Sequence, residues 1–127
     1  MSIFDRNISM DFASVSRQWR VRADELGPEA LAELILEAVV KRLPDQALGH
    51  AKLSVDYEGG MVFASSSLIP PEITVRKRGD YAGGRMDVSL VLIFGNLEAE
   101  RLSAVLLSAR EDLESRPESR LVMEELA

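Results

Sequence analysis

The sequence predicts an α+β fold: a small antiparallel sheet of three to five strands with two helices packed on one face. Three observations predict it. Leu31, Leu34, Ile35, Ala38 and Val39 recur at helical spacing. Leu102, Val105, Leu106, Ala109 and Leu113 do the same towards the other end of the chain. Between the two stripes, much of the chain from 51 to 94 alternates apolar and polar residues with period two, the signature of half-buried strands. Two amphipathic helices and one sheet bury these stripes most economically when both helices share a face of the sheet.

Residues 1–23 lack a helical stripe. From Ala13 onward, Val15, Trp19, Val21 and Ala23 fall on one side and Ser14, Ser16, Gln18, Arg20 and Arg22 on the other, interrupted by Arg17. That pattern predicts an edge strand or an extended arm. Gly27 and Pro28 open the first helix, with proline at a first-turn position where its missing N–H costs nothing. Glu29, Glu33 and Glu37 form its wet ridge, Lys41 and Arg42 sit at the negative end of its dipole, and Pro44 closes it. Leu36, Val40 and Leu43 broaden its apolar surface.

Leu53, Val55 and Tyr57 then alternate with Lys52, Ser54 and Asp56. Glu58, Gly59 and Gly60 supply a turn, and Met61 and Phe63 are expected to continue the apolar phase, so 51–66 reads as a hairpin. Pro70 and Pro71 interrupt it. Ile73, Val75 and Lys77 alternate with Thr74, Arg76 and Arg78 in a half-exposed strand, and 79–84 is a loop. Met86, Val88, Leu90, Leu92 and Phe94 make the longest alternating run, and Val91 and Ile93 on its other phase mark it as central or as covered on both faces near its end. Asn96 is placed to cap the second helix, which Pro117 ends. The tail is expected to be a short docked helix or a frayed end. The chain thus divides into an arm or edge strand at 1–23, one α+β domain at 24–116 and a tail at 117–127.

A chain of 127 residues suffices for one domain that buries roughly two-thirds of its unfolded surface. Its 46% hydrophobic and 28% charged composition is that of a globular protein. With no cysteine there is no disulfide framework and no thiolate metal site, which fits a reducing compartment. Asp5 and Arg6 stand where a secretory leader would be apolar, and Leu90 to Phe94 falls far short of the roughly 20 residues of a membrane span. A cytoplasmic protein without a membrane partner is expected. The net charge of −6 disfavours nucleic acid as a partner. Arg17, Arg20 and Arg22, and Arg76, Lys77 and Arg78, are local exceptions, read first as solvated strand-edge charges.

Candidate chemistry is sparse. Gly59-Gly60 and Gly83-Gly84 do not join a strand to a helix as a phosphate loop requires. His50 is the only histidine, and the carboxylates lie mainly at solvated helical spacing, so no cofactor and no metal are expected. Nucleophilic catalysis would need His50 as the base for Ser65, Ser66 or Ser67 across the hairpin, although serine runs at strand ends commonly serve turns. Asp56 and Asp87 could act as an acid–base pair, yet polar positions on a wet strand face look the same.

Leu48-Gly49-His50-Ala51-Lys52 follows a helix and leads into a strand. A glycine turn, a second strand, the long apolar strand from Met86 to Phe94 and an acidic helix from Leu97 come next. This arrangement, over 29–114, resembles the C-terminal accessory domain of the CobW family, the cobalamin-synthesis-type metal-chaperone GTPases; its local mark is Gly-His-x-Lys. The sequence holds neither a P-loop lysine motif nor the family's cysteine metal motif, so no nucleotide or metal ligand carries over. The resemblance implies a stand-alone relative of the accessory domain that acts through partners, and it singles out His50 and Lys52.

The leading expectation is a non-catalytic binding or assembly domain, on the family's pattern an accessory to cobalt or corrinoid handling. Its candidate ligand or partner contacts are His50, Lys52, Trp19, Arg76 and Arg78. A second reading is a small ligand-binding protein or enzyme with a pocket near His50 and Ser65–Ser67. A third is an RNA or phospholipid contact through the arginine clusters. Trp19 is the only tryptophan, and large aromatics are enriched at interface centres, so the arm is expected to mediate a homodimer. The competing reading folds the arm back on its own sheet, with Trp19 completing the core.

Overall fold

Period-two sequence produces a sheet with one dry face, and the helical stripes cover it. The computed structural model describes residues 12–23, 25–45, 47–68, 71–116 and 121–126. The chain runs β1 (Ala13–Ala23), α1 (Pro28–Val40), β2 (Gly49–Tyr57), β3 (Gly60–Leu68), β4 (Pro71–Gly79), β5 (Met86–Phe94), α2 (Ala99–Ser115) and β6 (Leu121–Glu125). The strands form one sheet in the order β4-β3-β2-β5-β1-β6, every neighbouring pair antiparallel. Both helices lie on the face where Val88, Leu90, Leu92 and Phe94 of β5 are fully buried. Leu31, Ile35 and Leu36 of α1 and Leu102 and Leu113 of α2 complete that core. Among the described residues no helix is long and apolar enough to cross a membrane.

The sheet has six strands rather than three to five, and the two beyond the middle four come from the ends. The segment from Ala13 is neither an edge strand nor an arm. It lies between β5 and β6, with Val15, Trp19 and Val21 buried. Arg17, which breaks its apolar phase, stays on the helix face by reaching Ser103 Oγ at 3.3 Å and Glu125 at 3.3 Å with its charged end. The tail is not a docked helix or a frayed end but β6, which pairs with β1 and buries Leu121 and Met123 while Val122 and Glu124 face out. Five residues hold too few alternations to be told from a helical turn by pattern.

Two further expectations change. The β2–β3 turn pairs Tyr57 with Gly60 and therefore Val55 with Val62. Val62 and Ala64 thus point into the core, and Met61 and Phe63 point out of it, opposite to the expected phase. Asn96 does not cap α2. Glu98 takes the cap position without a side-chain cap hydrogen bond, and Asn96 Oδ1 accepts from the Leu48 backbone N–H at 2.9 Å, tying the start of β2 to the end of β5. Pro28 opens α1 as expected, and Lys41 caps its end. The breaks expected at Pro70 and Pro117 lie outside the described residues.

Candidate functional site

The face of the sheet opposite the helices is uncovered among the described residues, and strand register decides what it presents. On β3, Phe63 stands between Arg76 of β4 and Ser54 of β2, and Ser65 stands between Thr74 and Lys52. One pair along, Met61 stands between Arg78 and Asp56. Across β5, Ser54 faces Ser89, and Lys52 faces Val91. Short hydroxyl side chains at Ser54, Ser65, Thr74 and Ser89 keep the floor low, and the longer Phe63, Lys52, Arg76 and Arg78 stand around it. The result is a concavity of about 850 Å³ with Phe63 49% exposed at its middle. Among the described residues no carboxylate lines it.

Electrostatics set this quarter of the face apart. Arg17, Arg20, Lys41, Arg42, Lys77, Arg85, Arg110 and Arg116 all form ion pairs with carboxylates. Five cations, Arg22, Lys52, Arg76, Arg78 and Arg101, have no such partner among the described residues, and three of them, Lys52, Arg76 and Arg78, line this one concavity. The sequence cluster Arg76-Lys77-Arg78 is split by the strand pleat. Lys77 points to the helix side, where Asp80 at 3.3 Å and Glu29 at 3.8 Å hold it, and the hydrogen bond to Asp80 raises its pKa above the ordinary lysine value. Three unpaired cations therefore share a carboxylate-free concavity on a chain of net charge −6.

Of the five residues singled out in the sequence, Lys52, Arg76 and Arg78 meet here. His50 is exposed on the same face, opposite Ser67 and Ile93, outside the concavity. The pleat divides the three serines expected near His50: Ser67 pairs with it across the hairpin on the open face, and Ser65 and Ser66 lie elsewhere. Ser65 lines the concavity beside Lys52, while Ser66 is buried on the helix side and its hydroxyl donates to the Ser67 carbonyl at 3.3 Å. Trp19 is 3% exposed in the core beneath α2, so it is not a surface contact, and the strand that carries it, Ala13–Ala23, packs within its own chain. Its indole N–H finds no acceptor among the described residues. Asp56 and Asp87 do stand opposite one another, but Arg20 at 3.4 Å and Arg85 at 3.6 Å engage Asp87. They form part of a solvated charge group rather than an isolated acid–base pair.

Gly49, the glycine of Gly-His-x-Lys, has a steric reason to be there. It pairs with Phe94, and a Cβ at this position would collide with the Ile93 carbonyl oxygen and lie 2.7 Å from the Phe94 ring. Sequence reasoning missed Phe63, Ser54, Thr74 and Ser89 as members of the site. The signal for Phe63 was its place in the hairpin: a two-residue turn puts it in phase with Lys52 and Ser54, not with Leu53.

Comparison with known proteins returns no match: no family model, no curated protein and no solved structure matches this chain.

Proposed function

We propose that the protein is a non-catalytic binding domain that holds an acidic segment of a protein partner in the concavity of its open sheet face. The observation that carries this reading is the grouping of Lys52, Arg76 and Arg78 around exposed Phe63, with no carboxylate among the described residues that line the concavity. Like charges gathered without counter-charges repel, and a bound anionic group relieves that repulsion while Phe63 offers an apolar contact. A protein segment suits the site better than a nucleic acid. Single-stranded nucleic-acid platforms stack successive bases on several aromatics, and this concavity holds one. The resemblance to the CobW accessory domain supports a role as an accessory to cobalt or corrinoid handling. Lys52 is the residue of that motif that reaches the concavity. The cysteine-free composition supports a cytoplasmic setting.

Titration of the isotopically labelled protein with the capped pentapeptide Glu-Glu-Leu-Glu-Glu tests the reading. Saturable shifts are expected at Lys52, Phe63, Arg76 and Arg78, and K52A/R76A should weaken binding at least ten-fold at unchanged melting temperature. R22A/R101A removes the same charge from outside the concavity and should change affinity by less than two-fold. Equal losses in both variants would reduce the binding to general electrostatics and overturn the proposal. So would a single-stranded oligonucleotide of equal charge binding more tightly than the peptide.

A further inference from the structure

The exposed edge of β4 has a charge order that complements itself. Among the described residues β4 pairs only with β3, so one side of its nine-residue backbone keeps hydrogen-bonding groups without a strand partner. Such an edge is a template for another strand. The opposite edge, β6, is five residues long and ends in Glu124 and Glu125. Along β4, Glu72 and Arg78 lie three residues either side of Val75, both on the open face with Thr74 and Arg76. Ile73 and Val75 lie half-buried on the helix side, where the edge leaves them incompletely covered.

We infer that two copies of this chain pair through β4, antiparallel and about a two-fold axis at Val75, to make one continuous sheet. In that register Glu72 of each copy faces Arg78 of the other, Arg76 faces Thr74, Lys77 faces Ile73, and Val75 faces itself. No like charges stand directly opposite, and two cross-strand ion pairs form. Axes one or two residues further along are excluded by charge, since they set Arg76 against Arg76 or against Arg78. Pro71, which has no N–H to donate, falls at the end of the pairing, where a strand tolerates it. A two-fold interface of this kind closes on itself and leaves no free edge at the junction. It also joins the two open faces, placing the concavities side by side, with Arg78 of each engaged by Glu72 of the other copy and Lys52 and Arg76 left to meet an anionic segment. A partner with two acidic segments would then bind with an avidity that neither site has alone.

The inference goes beyond the binding role and stands or falls separately from it. Sedimentation of the full chain over micromolar to millimolar concentrations is expected to show a monomer–dimer equilibrium. E72R and R78E each set like charges across the junction twice and should raise the dimer dissociation constant at least ten-fold. Mixing E72R with R78E restores every opposition and should return a heterodimer, and the double variant E72R/R78E should dimerise like the parent. A parent that stays monomeric throughout would overturn the inference and leave the edge charges as guards against aggregation. Dimers unchanged by R78E would overturn the register, because an axis at Thr74 sets Glu72 against Arg76 instead. Peptide binding by monomeric E72R at the parent's affinity would show that the binding role survives independently of the dimer.

Discussion

Leu90 and Val91 are neighbours on β5 and face opposite sides of the same sheet. Leu90 lies between Arg17 of β1 and Leu53 of β2 under the helices and is fully buried. Val91 lies between Ser16 and Lys52 with no layer above it among the described residues, and it is half-buried by its own strand neighbours. The helix-covered face carries the hydrophobic energy of the fold, and the strand cations on it, Arg17 and Lys77, are paired with carboxylates. The open face carries little of that energy, which frees it to hold serines, an exposed phenylalanine and unpaired cations. Stability and recognition are thereby placed on opposite sides of one backbone, so substitutions should separate them.

The largest separation is expected on β5 itself. Leu90→Ala leaves a cavity at the centre of the core and should cost about 3 kcal/mol, which for a chain of this size lowers the melting temperature by about 10 °C. Val91→Ala opens onto solvent and should cost less than about 1 kcal/mol. Thermal unfolding of the two variants side by side reads the difference. A Val91→Ala loss equal to that of Leu90→Ala would mean that the open face is covered after all, and the comparison would break.

The same asymmetry explains what could be read in advance. Both helices and the central place of β5 follow from long periodic runs in which every buried position agrees, from Leu31 to Val39 and from Met86 to Phe94. β1 was harder to place because Arg17 interrupts the pattern, and only the tertiary partners Ser103 and Glu125 explain how a charge is accommodated there. β6 was illegible because its pairing with β1 is long-range. Lys52, Arg76 and Arg78 were visible individually as cations on a polar strand phase. Their convergence depends on the order β4-β3-β2 and on a hairpin register that places Val55 opposite Val62 and turns Phe63 outward. Trp19 illustrates the converse: its rarity marked it for an interface, yet its period-two phase with Val15 and Val21 assigns it to the core.

A smaller effect is expected where the two helices meet. Asp112 of α2 gathers Arg116 at 2.8 Å, Arg42 at 3.1 Å and Lys41 at 3.5 Å. The hydrogen bond from Arg116 comes first among the causes that hold its carboxyl below the ordinary value of 3.8, with the charges of Arg116, Lys41 and Arg42 adding to it. Between the depressed folded value and 3.8, the unfolded chain binds the proton more readily than the folded one, so stability rises with pH across that window. Asp112→Asn should therefore lower the melting temperature by a constant amount at neutral pH. That difference should shrink as the pH falls below 3.8. The loss stays well short of that at Leu90 because the partners are solvated. A difference independent of pH down to 2.5 would show that the carboxylate charge contributes nothing at this seam.

The smallest effect is expected at His50, and it sharpens the contrast between the faces most. His50 is exposed at the start of β2, opposite Ser67 on one side and Ile93 on the other, and outside the cationic concavity. Gly49 beside it is fixed by the approach of β5, so the motif they share needs no role for the imidazole to account for its glycine. His50→Gln keeps a polar side chain of similar reach on the open face and should change stability by less than about 0.5 kcal/mol. Affinity for the acidic pentapeptide should stay within two-fold of the parent, because the cations that attract it stand elsewhere on the sheet. Calorimetric unfolding and the same titration measure both quantities on one sample. A ten-fold loss of binding at unchanged stability would extend the recognition surface along β2 from Lys52 to His50. A loss of stability comparable to that at Leu90 would instead place the imidazole in a buried hydrogen-bonded setting, against the division of the two faces.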